Sequence, residues 1–222
     1  MIIGVCGFIG AGKDTVADYL VNLHGFRRDS FAGSLKDAVS AVFGWDRVLL
    51  EGRTKHSREW REQPDAWWSD RLGRSVTPRW ILQQWGTEVC RRGFHDDIWI
   101  ASLENKLRSC QDDVVISDCR FPNEIQAIKS AGGIVIWVQR GPLPEWYQCA
   151  LTQNITHEDD LWILDDNEQL MEHRYPAVHA SEFGWIGTEF DSVLDNNGTM
   201  DELYDQLSDL VRDLLAATVD RP

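Results

Sequence analysis

The sequence predicts a three-layer α/β/α fold around a parallel β-sheet, and three observations carry that prediction. Continuous apolar runs of strand length recur at Ile2-Ile3-Gly4-Val5-Cys6, Val114-Val115-Ile116 and Ile134-Val135-Ile136-Trp137-Val138, as in strands buried on both faces. Segments of helical spacing alternate with these runs, the pattern of crossover connections. A glycine-rich loop, Gly7-Phe8-Ile9-Gly10-Ala11-Gly12-Lys13-Asp14-Thr15, joins the first strand to the first helix. The 222 residues suffice for one α/β domain with insertions and a substantial core. In such doubly wound sheets ligands gather at the C-terminal ends of the strands.

Each element follows in order. Thr15 to Val21 has helical spacing and stops near Gly25; a short strand is expected over Arg27–Phe31 and a second helix over Leu35–Phe43. Residues 44–77, rich in tryptophan and arginine and broken by Gly52, Pro64 and Gly73, read as an irregular insertion. Pro78 opens a helix carrying Trp80, Ile81, Trp85 and Val89, and Asp96-Asp97 cap another through Leu107. After the strand at Val114–Ile116, a helix is expected from Pro122 to Ala131, ended by Gly132-Gly133. The next strand ends at Gln139-Arg140, and the acidic stretch 141–178 reads as a flap. A short strand at Ser192–Leu194, the turn Asn196-Asn197-Gly198 and an amphipathic helix from Met200 to Leu215 complete the chain.

The loop carries the first chemistry. Glycines lack Cβ atoms, so successive N–H groups can curl around a polyphosphate, and the helix that follows presents its positive dipole end to the same anion. Lys13 adds a mobile charge that can follow a phosphoryl group in transfer. Gly10, Ala11, Gly12, Lys13, Asp14 and Thr15 are therefore the expected nucleoside triphosphate contacts. The usual pattern places Ser or Thr directly after the lysine, to meet Mg²⁺; here Asp14 takes that place and the hydroxyl comes at Thr15. Asp14 reads either as a metal ligand acting through water or as a favourable acid in the first helical turn.

Composition narrows the function classes. The net charge of −14 argues against a nucleic-acid partner. Its distribution is uneven: residues 145–222 hold 3 Lys/Arg against 18 Asp/Glu, whereas Arg47 to Arg92 hold ten against six. A cationic patch inside an acidic chain suits a small anionic ligand or is an ordinary solvated surface. Five cysteines without a CxxC pair imply a reduced, cytoplasmic protein, and no apolar run approaches the roughly 20 residues of a membrane span. The six histidines lack metal-ligand spacing, and His179 near Ser181 and Glu182 has no nucleophile elbow behind it. Most of the eleven tryptophans are expected in packing.

A second constellation lies at the end of the Val114–Ile116 strand. Asp118 is placed there as a metal-organising acid or as a loop carboxylate; Arg120 is placed to take a phosphate or to form a structural ion pair. With these residues the chain resembles the deoxynucleoside monophosphate kinases of tailed phages. The resemblance is carried by Gly12-Lys13-Asp14-Thr15, Phe31-Ala32-Gly33-Ser34-Leu35-Lys36, Thr77-Pro78-Arg79, Gln84-Trp85-Gly86-Thr87-Glu88 and Asp97-Ile98-Trp99. It continues in Ser117-Asp118-Cys119-Arg120-Phe121-Pro122-Asn123-Glu124 and Asn196-Asn197-Gly198-Thr199.

The resemblance implies a P-loop nucleoside monophosphate kinase-like domain over 1–222: a core of 1–32, 96–139 and 179–222, a monophosphate-binding insertion at about 33–95 and a lid at about 140–178. The implied activity is transfer of the ATP γ-phosphoryl group to a deoxynucleoside monophosphate, with Mg²⁺, in the host cytoplasm, by a possible homodimer. Lys13, Arg120 and Arg140 would be catalytic. Phe31, Lys36, Arg79, Trp85, Asp118 and Arg120 would hold the acceptor, and Asp14, Thr15 and Asp118 the metal. A fainter similarity to adenylate kinases rests on Asp165-Asp166 and Arg174, although the arginine that precedes the aspartates is missing; Arg174 would join Arg140 on ATP. The alternatives are a kinase of another small phosphorylated acceptor or a nucleotide-dependent ATPase or switch.

Overall fold

Strands β1 (Ile2–Cys6), β2 (Arg27–Asp29), β3 (Val114–Ile116), β4 (Ile134–Gln139) and β5 (Ser192–Asp195) form one sheet in the order β2-β3-β1-β4-β5. β1 runs parallel to both β3 and β4, and β4 parallel to β5. The computed structural model describes residues 1–155 and 171–219.

Alternation along β1 sorts the two faces. Ile3 and Val5, in register with Val115 and Ile136, point to one face with Val138 and Leu194. There they meet Val16, Ala17 and Leu20 of α1 (Lys13–His24) and Leu203, Leu207 and Val211 of the C-terminal helix, Met200–Val219. Gly4 points to the other face, where a Cβ would come within 2.6 Å of Ile128 and 3.1 Å of the Cys119 sulfur. Glycine lets the helix Pro122–Ser130 lie close to the strand without displacing the Ile128 side chain. The result is the predicted layered sandwich around a sheet whose central strands are buried on both sides.

By compactness the chain divides into two units, Met1–Arg28 with Asp112–Pro222, and Asp29–Gln111. The second unit is wider than the 33–95 insertion. It holds α2 (Gly33–Phe43), α3 (Arg47–Glu51), α4 (Lys55–Glu62), α5 (Ala66–Leu72), α6 (Pro78–Gln83) and α7 (Ile98–Leu107). The stretch expected to be irregular is thus three short helices. Each has its own start signal: Asp46 accepts from the Val48 and Leu49 amides, Thr54 exchanges hydrogen bonds with Ser57, and Asp65 accepts from the Trp68 amide. Such caps are worth about 1 kcal/mol apiece. The unit's core joins Leu35, Val39, Phe43, Trp45, Leu50, Val76 and Ile81, with five part-buried tryptophans and Leu82 against it.

The helix that opens at Pro78 also departs from expectation. It is α-helical only to Gln83 and then widens into a π-helix over Gln84–Arg92. Gly86 faces Leu35 at a distance where a Cβ would clash, and its carbonyl accepts from the Trp99 indole at 2.9 Å. A carbonyl has two lone pairs, so it can accept the indole in addition to a helical amide.

The remaining helices belong to the first unit: α8 (Pro122–Ser130), α9 (Tyr147–Ile155), α10 (Met171–Arg174), α11 (Ala180–Phe183) and α12 (Met200–Val219). Within the proposed flap, α9 is tied down at its C-terminal end, where the Asn154 amide donates to the Phe183 and Ile186 carbonyls at 2.9 and 2.8 Å. Residues 156–170, including Asp165 and Asp166, lie outside the described residues.

Candidate active site

The loop between β1 and α1 is shaped by what its glycines permit. Gly7 has φ +147° and sits where a Cβ would lie 2.6 Å from the Val138 carbonyl, so no side chain fits. Gly12 has φ +104° and forms the start of α1 with no side chain capping it. The first-turn N–H groups are then available to an anion, supported by the helix dipole. The Ala11 amide closes the turn on the Phe8 carbonyl at 3.2 Å.

Lys13 lies across this loop, its ammonium donating to the Gly7 and Phe8 carbonyls at 2.7 and 2.8 Å. Burial and the nearby Arg120 guanidinium lower its pKa to about 8, against the opposing pull of Asp14 and Glu182. Two cations are therefore held near one another at the sheet's C-terminal edge. That arrangement costs electrostatic energy in the free protein and becomes favourable when a polyanion enters.

Arg120 is set in place by three contacts. Glu124, 3% exposed, accepts from the Arg120 amide at 2.8 Å and the Phe121 amide at 3.2 Å, capping α8 from within. The guanidinium donates to the Ser181 carbonyl at 3.2 Å and lies 3.7 Å from the Glu182 carboxylate. His179 caps α11 by accepting from the Ser181 amide at 3.2 Å, and this accounts for the histidine without catalysis.

Asp14 is held by Arg28, which also donates to Asp18 at 3.0 Å and to the Ser117 hydroxyl at 2.8 Å. The carboxylate one place after the lysine thus has a partner on β2, and Thr15 is left part-buried in the first turn. Asp118 is part-buried at the end of β3, directly before buried Cys119. Among the described residues no cluster of three His, Cys, Asp or Glu side chains could hold a metal by themselves. A Mg²⁺ bound mainly by phosphates and water needs only one or two protein oxygens, so the lack of such a cluster does not bear on it.

The other expected site residues are placed as follows. Arg140 is exposed at the end of β4, and Arg174 is exposed with its guanidinium 5.7 Å from the Tyr175 ring centre. In the second unit, Lys36 is bonded to Glu51 at 2.8 Å and Arg79 to Glu62. Burial raises the Glu51 carboxyl, but Lys36 and Arg47 outweigh it and hold the pKa at about 2. Phe31 is 4% exposed, and Trp85 meets Phe43 edge-on with ring centres 5.3 Å apart.

Sequence reasoning missed Arg28 and the roles of Glu124 and Asn196. Asn196 donates from Nδ2 to the Ala11 carbonyl at 2.8 Å across 185 positions of sequence. It also missed the aromatic packing of the loop's Phe8, which meets Trp146, Tyr147 and Trp185 at 5.6, 6.2 and 4.9 Å.

A parallel sheet with a phosphate-binding loop, a buried lysine and a neighbouring arginine is the arrangement of a P-loop nucleoside triphosphate site. No protein-family model matches the chain. The protein of Acanthamoeba polyphaga mimivirus named "Putative deoxynucleotide monophosphate kinase" is 29% identical over 221 residues, covering 93% of this chain and 94% of its own. The deoxynucleoside-5'-monophosphate kinase of Escherichia phage T5 is 26% identical over 179 residues, 58% of this chain and 72% of its own. Among solved structures, a shikimate kinase from Aquifex aeolicus covers 100% of both chains with a TM-score of 0.42 and 12% identity. In sequence the chain is thus similar to viral and phage proteins named as deoxynucleoside monophosphate kinases.

Proposed function

We propose that this protein transfers the γ-phosphoryl group of ATP to a deoxynucleoside monophosphate, giving the deoxynucleoside diphosphate and ADP. The observation that carries this reading is the pairing of Lys13 with Arg120 beside an uncapped helix start. An acceptor phosphate is already an anion, so its oxygen needs no general base to attack. What limits the reaction is repulsion between two anionic reactants and their alignment, which cations and fixed N–H dipoles relieve.

The loop amides and Lys13 hold the donor phosphates, and Arg120 neutralises the phosphate that approaches them. Arg140 and Arg174 add charge from the flap side, and Phe31, Lys36, Arg79, Trp85 and Asp118 serve the acceptor, as the resemblance implies. Mg²⁺, held through the Thr15 hydroxyl and Asp118 with Asp14 as a further oxygen, would neutralise charge on the donor phosphates when bound. Nucleotides are then the partners, and the working place is the cytoplasm of an infected host. Among the described residues no helix is long and apolar enough to cross a membrane.

The test offers each common deoxynucleoside and ribonucleoside monophosphate separately with Mg-ATP and measures ADP release beside a blank without acceptor. Release restricted to certain deoxynucleotides supports the reading. Equal release in the blank identifies an ATPase. Silence with every nucleotide, with ATP still bound, points to another phosphorylated acceptor.

A further inference from the structure

The turn that follows β5 reaches back to the phosphate-binding loop, and nothing in the proposed mechanism uses it. Asn196 is 6% exposed, and its Nδ2 donates to the Ala11 carbonyl at 2.8 Å. Its partner is a carbonyl, so the side-chain nitrogen must face the loop; the opposite amide orientation would set two oxygens against each other. The main-chain amide of Asn196 donates to the Gln139 carbonyl at 2.8 Å, fixing the turn to the end of β4. The next residue repeats the arrangement on a second loop: Asn197 accepts from the Gly141 amide at 2.7 Å and donates to Asp195 at 2.7 Å.

The Ala11 carbonyl and the Gly12 N–H belong to one trans peptide unit, so they point in opposite directions. Holding the carbonyl on the Asn196 side therefore holds the Gly12 N–H on the other. Glycine at position 12 is what admits the contact, since a Cβ there would lie 2.3 Å from the Asn196 nitrogen. Glycine alone would also let this peptide rotate, because it tolerates both signs of φ. A turned-over peptide would present an oxygen to the phosphates instead of a hydrogen.

We propose that Asn196 is a positioning residue for phosphoryl donor binding: by bonding the Ala11 carbonyl it fixes the Gly12 N–H toward the triphosphate. This rests on the reading of the loop as an ATP site, and it does not depend on which acceptor is used. Asn196 acts through the loop backbone and touches no substrate itself.

The test compares Asn196→Asp, which keeps the side chain's shape but loses the donor, with Asn196→Ser, in case the first variant folds poorly. ATP affinity is measured by titration without any acceptor, together with KM for the acceptor, Tm, and the ¹H–¹⁵N signal of Gly12 with and without ADP. We expect the Kd for ATP to rise about tenfold or more, as for loss of one oriented donor to a charged group. Acceptor KM should stay within about twofold, and the ADP-induced shift of Gly12 should shrink. A folded variant with unchanged ATP affinity overturns the proposal. So does equal weakening of donor and acceptor with a lowered Tm, which marks a merely structural residue. If no deoxynucleotide is phosphorylated, the functional reading fails while the ATP titration still decides this one.

Discussion

The lysines expected to bind phosphate are held differently in the two units of this chain, Lys13 on carbonyls and Lys36 on a carboxylate. Around the loop, Lys13 rests on the Gly7 and Phe8 carbonyls and Asn196 on the Ala11 carbonyl, while Arg120 meets both the Ser181 carbonyl and, at 3.7 Å, the Glu182 carboxylate. In the Asp29–Gln111 unit the partners are carboxylates: Glu51 on Lys36 and Arg47, Glu62 on Arg79. A cation resting on neutral carbonyls, with another cation nearby, is poised to bind an anion. A cation already paired must first give up its partner, or it serves structure. Lys13 in the first unit is therefore a charge held in readiness, whereas Lys36 and Arg79 in the second are charges already paired.

The largest expected effect breaks the first side of that comparison. Lys13→Met removes a buried cation that the free protein stabilises poorly. Phosphoryl transfer should fall by about 10²–10³-fold, as when one preorganised donor to a transition-state charge is lost. The Tm should hold or rise, because a desolvated charge has gone. A drop in Tm parallel to activity would show that Lys13 is a structural residue.

Next comes the core of the second unit. Phe43 packs against Trp45 and Trp68 at 4.7 Å each and against Trp85 at 5.3 Å. Phe43→Ala should cost about 3–5 kcal/mol by chemical denaturation. If this unit holds the acceptor, KM for the monophosphate should worsen more than the Kd for ATP, and the reverse order would remove it from that role.

A pH measurement sharpens the contrast. Lys13 has its pKa lowered to about 8, and a bound triphosphate returns it toward the usual value of 10.5. ATP binding should therefore take up a proton above pH 8, with affinity falling as pH rises through that value. Calorimetry in buffers of different ionisation enthalpy reads the uptake directly, and its absence at pH 8.5–9 contradicts the account of Lys13. In the free protein the same depressed pKa makes stability rise between pH 8 and 10.5, where the unfolded chain holds the extra proton.

The smallest effect is in the paired unit. The pKa of Glu51 is about 2 against an ordinary 4.5, so its contribution is complete above pH 4.5 and is lost as pH falls through 2. Glu51→Gln should lower Tm by a few degrees at pH 7 and reduce the acid sensitivity of unfolding. Transfer at saturating substrates should change little.

The loop, the three apolar strands and Arg120 were legible because each is a local pattern: period, glycine spacing, a strand end. Short helices at Arg47–Glu51, Lys55–Glu62 and Ala66–Leu72 were not, since glycines and Pro64 obscured three caps that act independently. The π turn at Gln84 was hidden for another reason. It coincides with tertiary contacts of Leu35 and Trp99 on Gly86, which no local propensity encodes. The contacts of Asn196 and Arg28 span 185 and 89 positions, so one sequence shows the residues but not whom they meet. Asn196-Asn197 was visible as a motif of the resemblance; only the fold gives it a task.

The most direct check of the central claim follows the phosphoryl group itself. Mg-ATP and an accepted deoxynucleoside monophosphate are incubated with the protein, and the products are read by ³¹P NMR. The account predicts equal amounts of ADP and deoxynucleoside diphosphate, with no inorganic phosphate. ADP accompanied by inorganic phosphate and an unchanged monophosphate would contradict it.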